Sequence, residues 1–290
     1  MNKRNWMQLL MAVFTNGYIR GFLKGKIYTG SGKYFCVPGL NCYSCPGALG
    51  ACPIGAMQAV LGNRDYKMTY YAVGLLSLFG ILFGRLICGF LCPFGFIQDL
   101  LYKIPVKKIK IPRKLDQKMR YLKYIILLVF VLILPVVLTN QYGMGMPHFC
   151  KWICPAGTLE GAIPLLLTNP SLRGAVGILF HWKMLILLII VLLSTMIYRP
   201  FCKYICPLGA FYGLFQKVSF YQMSVDYMKC DGCGRCKKIC KMQVDIRKNI
   251  SSPECIRCGE CKKACHKNAI SSGWKGNERR ETELICEKKV

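Results

Sequence analysis

Over the first 200 positions the apolar residues fall in long unbroken blocks, not at the alternating spacing of strands or the one-sided spacing of surface helices. Three blocks, 68–84, 122–139 and 179–198, are long enough to cross a hydrocarbon core, which takes about 17–25 mostly apolar residues. The second contains Pro135, a predicted kink. A weaker block at 6–19 is interrupted by Asn16 and Gly17, and no small-residue cleavage signal follows it, so it reads as a poor fourth span. After about residue 219 the long apolar runs stop. The pattern predicts a mostly α fold: about four membrane helices over 1–218, then a small soluble α+β domain over 219–290.

Composition supports that reading. The 290 residues include 40 Lys and Arg against 13 Asp and Glu, a formal net charge of +27, yet 53% are hydrophobic. Mean hydropathy is +0.33. Charged residues make up 18% of the chain, below the about 25% of soluble domains, which argues against a nucleic-acid binder. The cations are unevenly placed. They crowd 85–120, with Lys107, Lys108, Lys110, Arg113 and Lys114, and recur after Tyr198, whereas 140–178 holds only Lys151 and Arg173. The positive-inside rule puts 85–120 and the C-terminal part in the cytoplasm, and 140–178 outside. With a first span, 21–67 is outside too, though Lys24, Lys26, Lys33, Arg64 and Lys67 fit this imperfectly. The run 103–120 is expected to contact anionic lipid.

Nineteen cysteines carry the chemistry. In the tail, Cys230, Cys233, Cys236 and Cys240 repeat the 2-2-3 spacing of Cys255, Cys258, Cys261 and Cys265. Three close thiolates can wrap one [4Fe-4S] cubane while the fourth ligates the other cluster. Cluster A then takes Cys230, Cys233, Cys236 and Cys265, and cluster B takes Cys255, Cys258, Cys261 and Cys240. Zinc ribbons lack the third and fourth cysteines of each run. Residues 228–270 resemble the two-cluster ferredoxins, except that Lys241 and His266 stand where that family usually has Pro. Cys286 fits no motif and reads as an ordinary thiol.

A second motif, C-x3-C-P-x-G, occurs at Cys88/Cys92, Cys150/Cys154 and Cys202/Cys206, and Cys52 repeats its second half after Cys36, Cys42 and Cys45. Proline suits the first turn of a helix, which would place each second thiolate at a positive helix end. By topology, Cys88, Cys92, Cys202 and Cys206 form a cytoplasmic-side set. An outer set takes Cys150, Cys154, Cys52 and Cys45, with Cys42 or Cys36 as replacements for Cys45. Alternatively Cys36, Cys42, Cys45 and Cys52 form a set alone and leave Cys150 and Cys154 as a dithiol or disulfide.

With a ferredoxin tail behind them, these motifs resemble the membrane iron–sulfur proteins related to the quinol dehydrogenase subunit of periplasmic nitrate reductase. They are also similar to the membrane part of the nitrous-oxide reductase regulator. The stretches 37–57 and 84–105 look like a subgroup of 4Fe-4S binding proteins from anaerobes. The resemblance implies electron transfer at a bacterial or archaeal cytoplasmic membrane, with an external flavin- or haem-bearing partner. The extra outer cysteines depart from the nitrate-reductase subunit, so quinone chemistry does not transfer directly.

On the cytoplasmic side, Arg235, Lys237, Lys238, Lys262 and Lys263 predict docking of an acidic ferredoxin or flavodoxin donor. A quinol-linked subunit, a redox sensor without turnover and a cluster-assembly factor are the competing expectations. No C-x-x-C-H is present and only three His occur, so haem is not expected, and His148 and His181 read as interfacial. Gln98 and Asp99 read as helix-surface residues, and Lys183 as a cation reaching to the membrane interface. A hydrocarbon core of about 30 Å is long for one electron hop, so the apolar flanks of the motifs predict clusters sunk toward the membrane interior.

Overall fold

The structure, a computed structural model, describes residues 3–62, 69–139 and 145–274; Cys286 and Met68 lie outside them. Four helices run between the two ends of the molecule: Lys3–Thr15, Thr69–Phe83, Arg113–Val137 and Ile178–Met196. Arg113–Val137 and Ile178–Met196 are long and apolar enough to cross a membrane, and Tyr71–Phe83 is apolar but shorter. Lys3–Thr15 has 13 residues. At 1.5 Å per residue that is about 20 Å, short of the about 30 Å of hydrocarbon expected of the 6–19 block.

The polarity of these helices is inverted. In Lys3–Thr15 the buried residues are Asn5, Gln8 and Thr15, while Trp6, Leu10, Val13 and Phe14 are exposed. Leu128, Ile133, Val136, Leu185, Leu188 and Leu192 also project outward from the two long helices. Only 28% and 17% of their apolar windows are buried inside the protein. Water would penalise such surface at about 25 cal/mol per Å², whereas lipid does not. Pro135 produces a local change of winding: Leu127–Ile133 widens to π-helical turns, because proline offers no N–H to the Val131 carbonyl.

Helix ends sort to opposite sides. Ile109 N–H donates to Met196 O at 3.0 Å and Lys108 Nζ to Thr195 O at 2.8 Å, joining the start of Arg113–Val137 to the end of Ile178–Met196. Arg257 Nη1 donates to Phe83 O at 3.1 Å, which brings the tail to the same side, and Arg4 lines a tail cavity there with Cys258. Residues 31–62 and 148–168 fold over the far end, where Gly145 N–H donates to Gly62 O.

The tail pairs β1 (Tyr221–Val225) with β2 (Ile270–Trp274) in an antiparallel ladder, Val225 opposite Ile270. Two short helices, Arg235–Ile239 and Glu260–Ala264, pack together between them. Left-handed residues recur at matching places in the halves: Gly232 and Arg257, Gly234 and Gly259, Gln243 and Asn268. Met242, Val244 and Ile256 enter the core that also holds Ile87, Phe94, Phe201 and Leu208. The tail also has a small core of its own, built from Met223, Val225, Ile246 and Ile270.

Candidate metal centres

Each C-x3-C-P-x-G motif folds alike. Its first cysteine lies in a five-residue helix, Leu86–Phe90, His148–Trp152 or Pro200–Tyr204. The chain then breaks and the second cysteine precedes a helix opened by the proline; Cys52 does the same for Pro53–Leu61. Helix starts leave N–H groups without intrahelical partners. Here Gly209 N–H donates to Cys206 Sγ at 3.4 Å, and the N–H groups of Gly55, Gly95 and Gly157 face Cys52, Cys92 and Cys154.

Cys88, Cys92, Cys202 and Cys206 are buried and within electrostatic reach of one another. Two fully buried arginines cross-brace their motifs. Arg85, three residues before Cys88, donates to Cys202 O at 3.1 Å; Arg199, three before Cys202, donates to Cys88 O at 2.6 Å. Asp99 accepts from Arg199 at 2.7 Å and Arg4 at 3.0 Å, and Glu254 accepts from Arg85 at 2.8 Å and Lys123 at 2.5 Å. Burial alone would raise the Glu254 carboxyl, but Arg85 and Lys123 hold it below its ordinary value. Gln98 Nε2 donates to Cys202 Sγ at 3.1 Å. The expectation that Gln98 and Asp99 lie on a helix surface is overturned, since they are 1% and 4% exposed. Their partners, a sulfur and a guanidinium, come from a segment about 100 residues away.

At the far end, Cys150, Cys154 and Cys52 gather with Cys42. These four and Cys36 line a cavity of about 500 Å³. Cys45 instead turns to Asn16, donating to Oδ1 at 3.4 Å, and lines a different pocket with Pro93 and Ile97. Gln58 Nε2 donates to Cys150 Sγ at 3.3 Å. Glu160 Oε2 accepts from Cys42 N–H at 2.7 Å. Lys183, half-buried, donates from Nζ to Cys150 O at 3.2 Å. His181 is exposed, whereas His148 buries an Nε2 with no partner among the described residues.

The two membrane sets are not separated by a hydrocarbon thickness. Leu40 N–H is directed to Cys92 and Asn41 N–H to Cys52, so one peptide step links their surroundings. Tyr212 stands between them, in electrostatic reach of Cys88, Cys92, Cys52 and Cys36, and donates to Pro38 O at 2.9 Å.

In the tail, Cys240, Cys255, Cys258 and Cys261 converge. Burial, with the neighbouring thiols adding, pushes Cys255 up to about 11 and Cys261 up to about 12, so metal binding there must displace protons. Cys230, Cys233, Cys236 and Cys265 line a second tail cavity. The loop between Cys255 and Cys258 presses on the membrane part: a Cβ on Gly89, next to Cys88, would meet Ile256 O at 2.6 Å. Arg257 takes φ +51° where the other half has glycine. Its guanidinium donates to Ser219 Oγ at 2.7 Å, to Gln216 O at 3.0 Å and to Tyr221 O.

Sequence reasoning missed Arg85, Arg199, Gln58, Glu254 and Arg257. Two repeats could have exposed some of them: Arg-x2-Cys at 85 and 199, and C-P-x-G-x2-Gln at 52 and 92.

These four sets fit [4Fe-4S] clusters. The eighteen described cysteines are all free, and amide donors point at sulfur. Asn41, fully buried, leaves both side-chain polar atoms without a partner among the described residues while lining the thiol-rich cavity. Cluster sulfur would supply the missing acceptor.

Inverted helices around converging thiols define a membrane-associated 4Fe-4S electron-transport protein. A family model described as a 4Fe-4S binding domain matches residues 68–112, 124–164 and 180–222, each holding one C-x3-C-P motif. The uncharacterized protein MJ0750 of Methanocaldococcus jannaschii is 36% identical over 234 residues, 79% of this chain and 88% of that one. The chain belongs to this family of ferredoxin-type 4Fe-4S proteins. The methylamine utilization ferredoxin-type protein MauN of Paracoccus denitrificans is 29% identical over 173 residues, 57% of this chain and 52% of its own. The ferredoxin-type protein NapH of Haemophilus influenzae is 25% identical over 179 residues, 60% of this chain and 53% of its own. No solved structure matches.

Proposed function

We propose that this chain conducts electrons across the membrane, from an acidic low-potential donor in the cytoplasm to a flavin- or haem-bearing acceptor at the outer face. The observation that supports this reading is that the described cysteines gather in groups between the tail and the far end, which we assign to four clusters. Cys230, Cys233, Cys236 and Cys265 come first, then Cys240, Cys255, Cys258 and Cys261. Cys88, Cys92, Cys202 and Cys206 follow, and Cys42, Cys52, Cys150 and Cys154 come last. Bound [4Fe-4S] clusters supply one-electron storage and transfer. The chain does the rest. Ile256 against Gly89 closes the gap between tail and membrane sets, and Leu40–Asn41 with Tyr212 closes the gap between the two membrane sets. Ile87, Phe94, Phe201 and Leu208 exclude water around them.

The four helices make four passes with the tail in the cytoplasm. Cys233 is exposed there, with Arg235, Lys238, Lys262 and Lys263 exposed in the same domain. That charge suits a carboxylate-rich ferredoxin or flavodoxin.

The test is purified protein in quinone-free vesicles, tail outward, with reduced ferredoxin outside and an impermeant acceptor inside. Electron flux to the lumen supports the wire. Flux that appears only with added quinol would replace it with the quinol-linked reading, and no flux under either condition would leave a sensor or assembly factor. Iron analysis should give about sixteen atoms per chain, four per cluster. Reversing Lys262 and Lys263 to Glu should slow donor association roughly tenfold at low salt and flatten its salt dependence.

A further inference from the structure

We infer that Gln98 and Gln58 set the reduction potentials of the two membrane centres independently, each by donating its amide N–H to one cysteine sulfur of its own centre. The inference rests on the cysteine assignments proposed above. Both glutamines stand six residues after the second cysteine of a C-P-x-G motif, Gln58 after Cys52 and Gln98 after Cys92. Both reach across to the first cysteine of the partner motif: Gln58 to Cys150 Sγ at 3.3 Å and Gln98 to Cys202 Sγ at 3.1 Å. The helix explains why this position serves. Side chains lean toward the helix N-terminus, so the sixth residue lies back over the first turn, where the capping cysteine stands. Each Nε2 also approaches the carbonyl four residues earlier, Ile54 O at 3.2 Å and Phe94 O at 3.5 Å.

The orientation of the amides follows from their surroundings. Phe149 N–H donates to Gln58 Oε1 at 2.9 Å, which leaves the NH2 facing Cys150. The end of the Gln98 amide that faces Cys202 Sγ also faces Phe94 O, which can only accept, so that end is the NH2. Both side chains are buried, so water cannot substitute for them. The two other motifs carry different groups at the same place. Glu160, six after Cys154, accepts from Cys42 N–H, and Tyr212, six after Cys206, donates to Pro38 O. Each membrane centre thus has one glutamine amide directed at its sulfur, supplied by the N-terminal motif of its pair.

One-electron reduction adds negative charge to the cluster and its thiolates. A hydrogen bond to sulfur strengthens as that charge grows, and it strengthens more in a low-dielectric interior. Each amide therefore favours the reduced form, and its removal makes the centre harder to reduce.

The experiment is a potentiometric titration followed by EPR on the full-length, iron-loaded protein. Gln98→Leu should weaken reduction of the Cys88/Cys92/Cys202/Cys206 centre about tenfold, a drop of about 59 mV for a one-electron couple, and leave the outer centre unmoved. Gln58→Leu should do the reverse. Equal shifts at both centres, or none, overturn the inference. A second measurement needs no substitution: pulsed EPR of wild-type protein labelled with side-chain 15N-glutamine should show a weak nitrogen coupling on each reduced membrane centre. Its absence overturns the inference even if the variants lose iron. Fewer than four centres in wild-type protein would defeat the cysteine assignment, whereas four centres whose potentials ignore both substitutions defeat this inference alone.

Discussion

Arg85 and Arg199 show how single residues hold the inner cysteines. Each guanidinium is buried, each reaches the carbonyl of the first cysteine in the other motif, and each has its own carboxylate. The glycine of each motif makes room. A Cβ on Gly209 would sit 3.2 Å from Arg85 Nη2, and one on Gly95 would sit 3.4 Å from Arg199 Cζ. Gly209→Ala and Gly95→Ala should therefore each destabilise the protein by about 1–3 kcal/mol, the usual cost of overpacking. Gly74 lies in the Thr69–Phe83 helix with nothing within 4 Å of an added Cβ. Gly74→Ala should be stabilising by about 0.4–1 kcal/mol. Thermal unfolding in detergent compares the three, and equal midpoints would mean that the cross-brace is not tightly packed.

At the scale of elements, the docking of the tail depends on two residues of one short loop. Glu254 accepts from two cations that would otherwise be buried without a carboxylate. Glu254→Gln should cost about 3–5 kcal/mol, as expected when one partner of a buried ionic group is removed. Arg257 accepts a left-handed backbone that glycine adopts more easily, and its guanidinium ties the tail to Phe83 and Gln216. Arg257→Gly should relax the backbone yet lose those bonds, so the tail should keep its clusters while protease releases it faster. Tail release at the wild-type rate would show that the shared apolar core alone holds it.

At the scale of the whole molecule, the four passes proposed above predict a fixed orientation. Lys107–Lys110 lies with the tail, and 171–174 lies beyond the far end of Ile178–Met196. Protease sites introduced at 107–110 and at 171–174 should be cut from opposite faces of the membrane, the first from the face that also exposes the tail. Cleavage of both from one face would contradict the four-pass arrangement.

Much of this was legible in the chain. Apolar blocks at 68–84, 122–139 and 179–198 located three helices, because lipid-facing helices need no polar stripe to read, though Arg113–Val137 starts nine residues before its block in a charged stretch. The repeated 2-2-3 spacing singled out the eight tail thiols, because three close thiolates can wrap one cubane while the fourth reaches the other. The chain alone put Cys45 in the outer set with Cys42 or Cys36 as replacements, since all three lie in one segment of suitable spacing. Only the tertiary structure separates them, turning Cys42 into the cavity with Cys52 and Cys150 and turning Cys45 toward Asn16. It also decided the places of Gln98 and Asp99, which look like ordinary surface residues until a sulfur and an arginine from distant segments arrive beside them. Local spacing determined which cysteines exist as motifs; long-range packing, which no local pattern encodes, decided which motifs meet and which polar groups they bury.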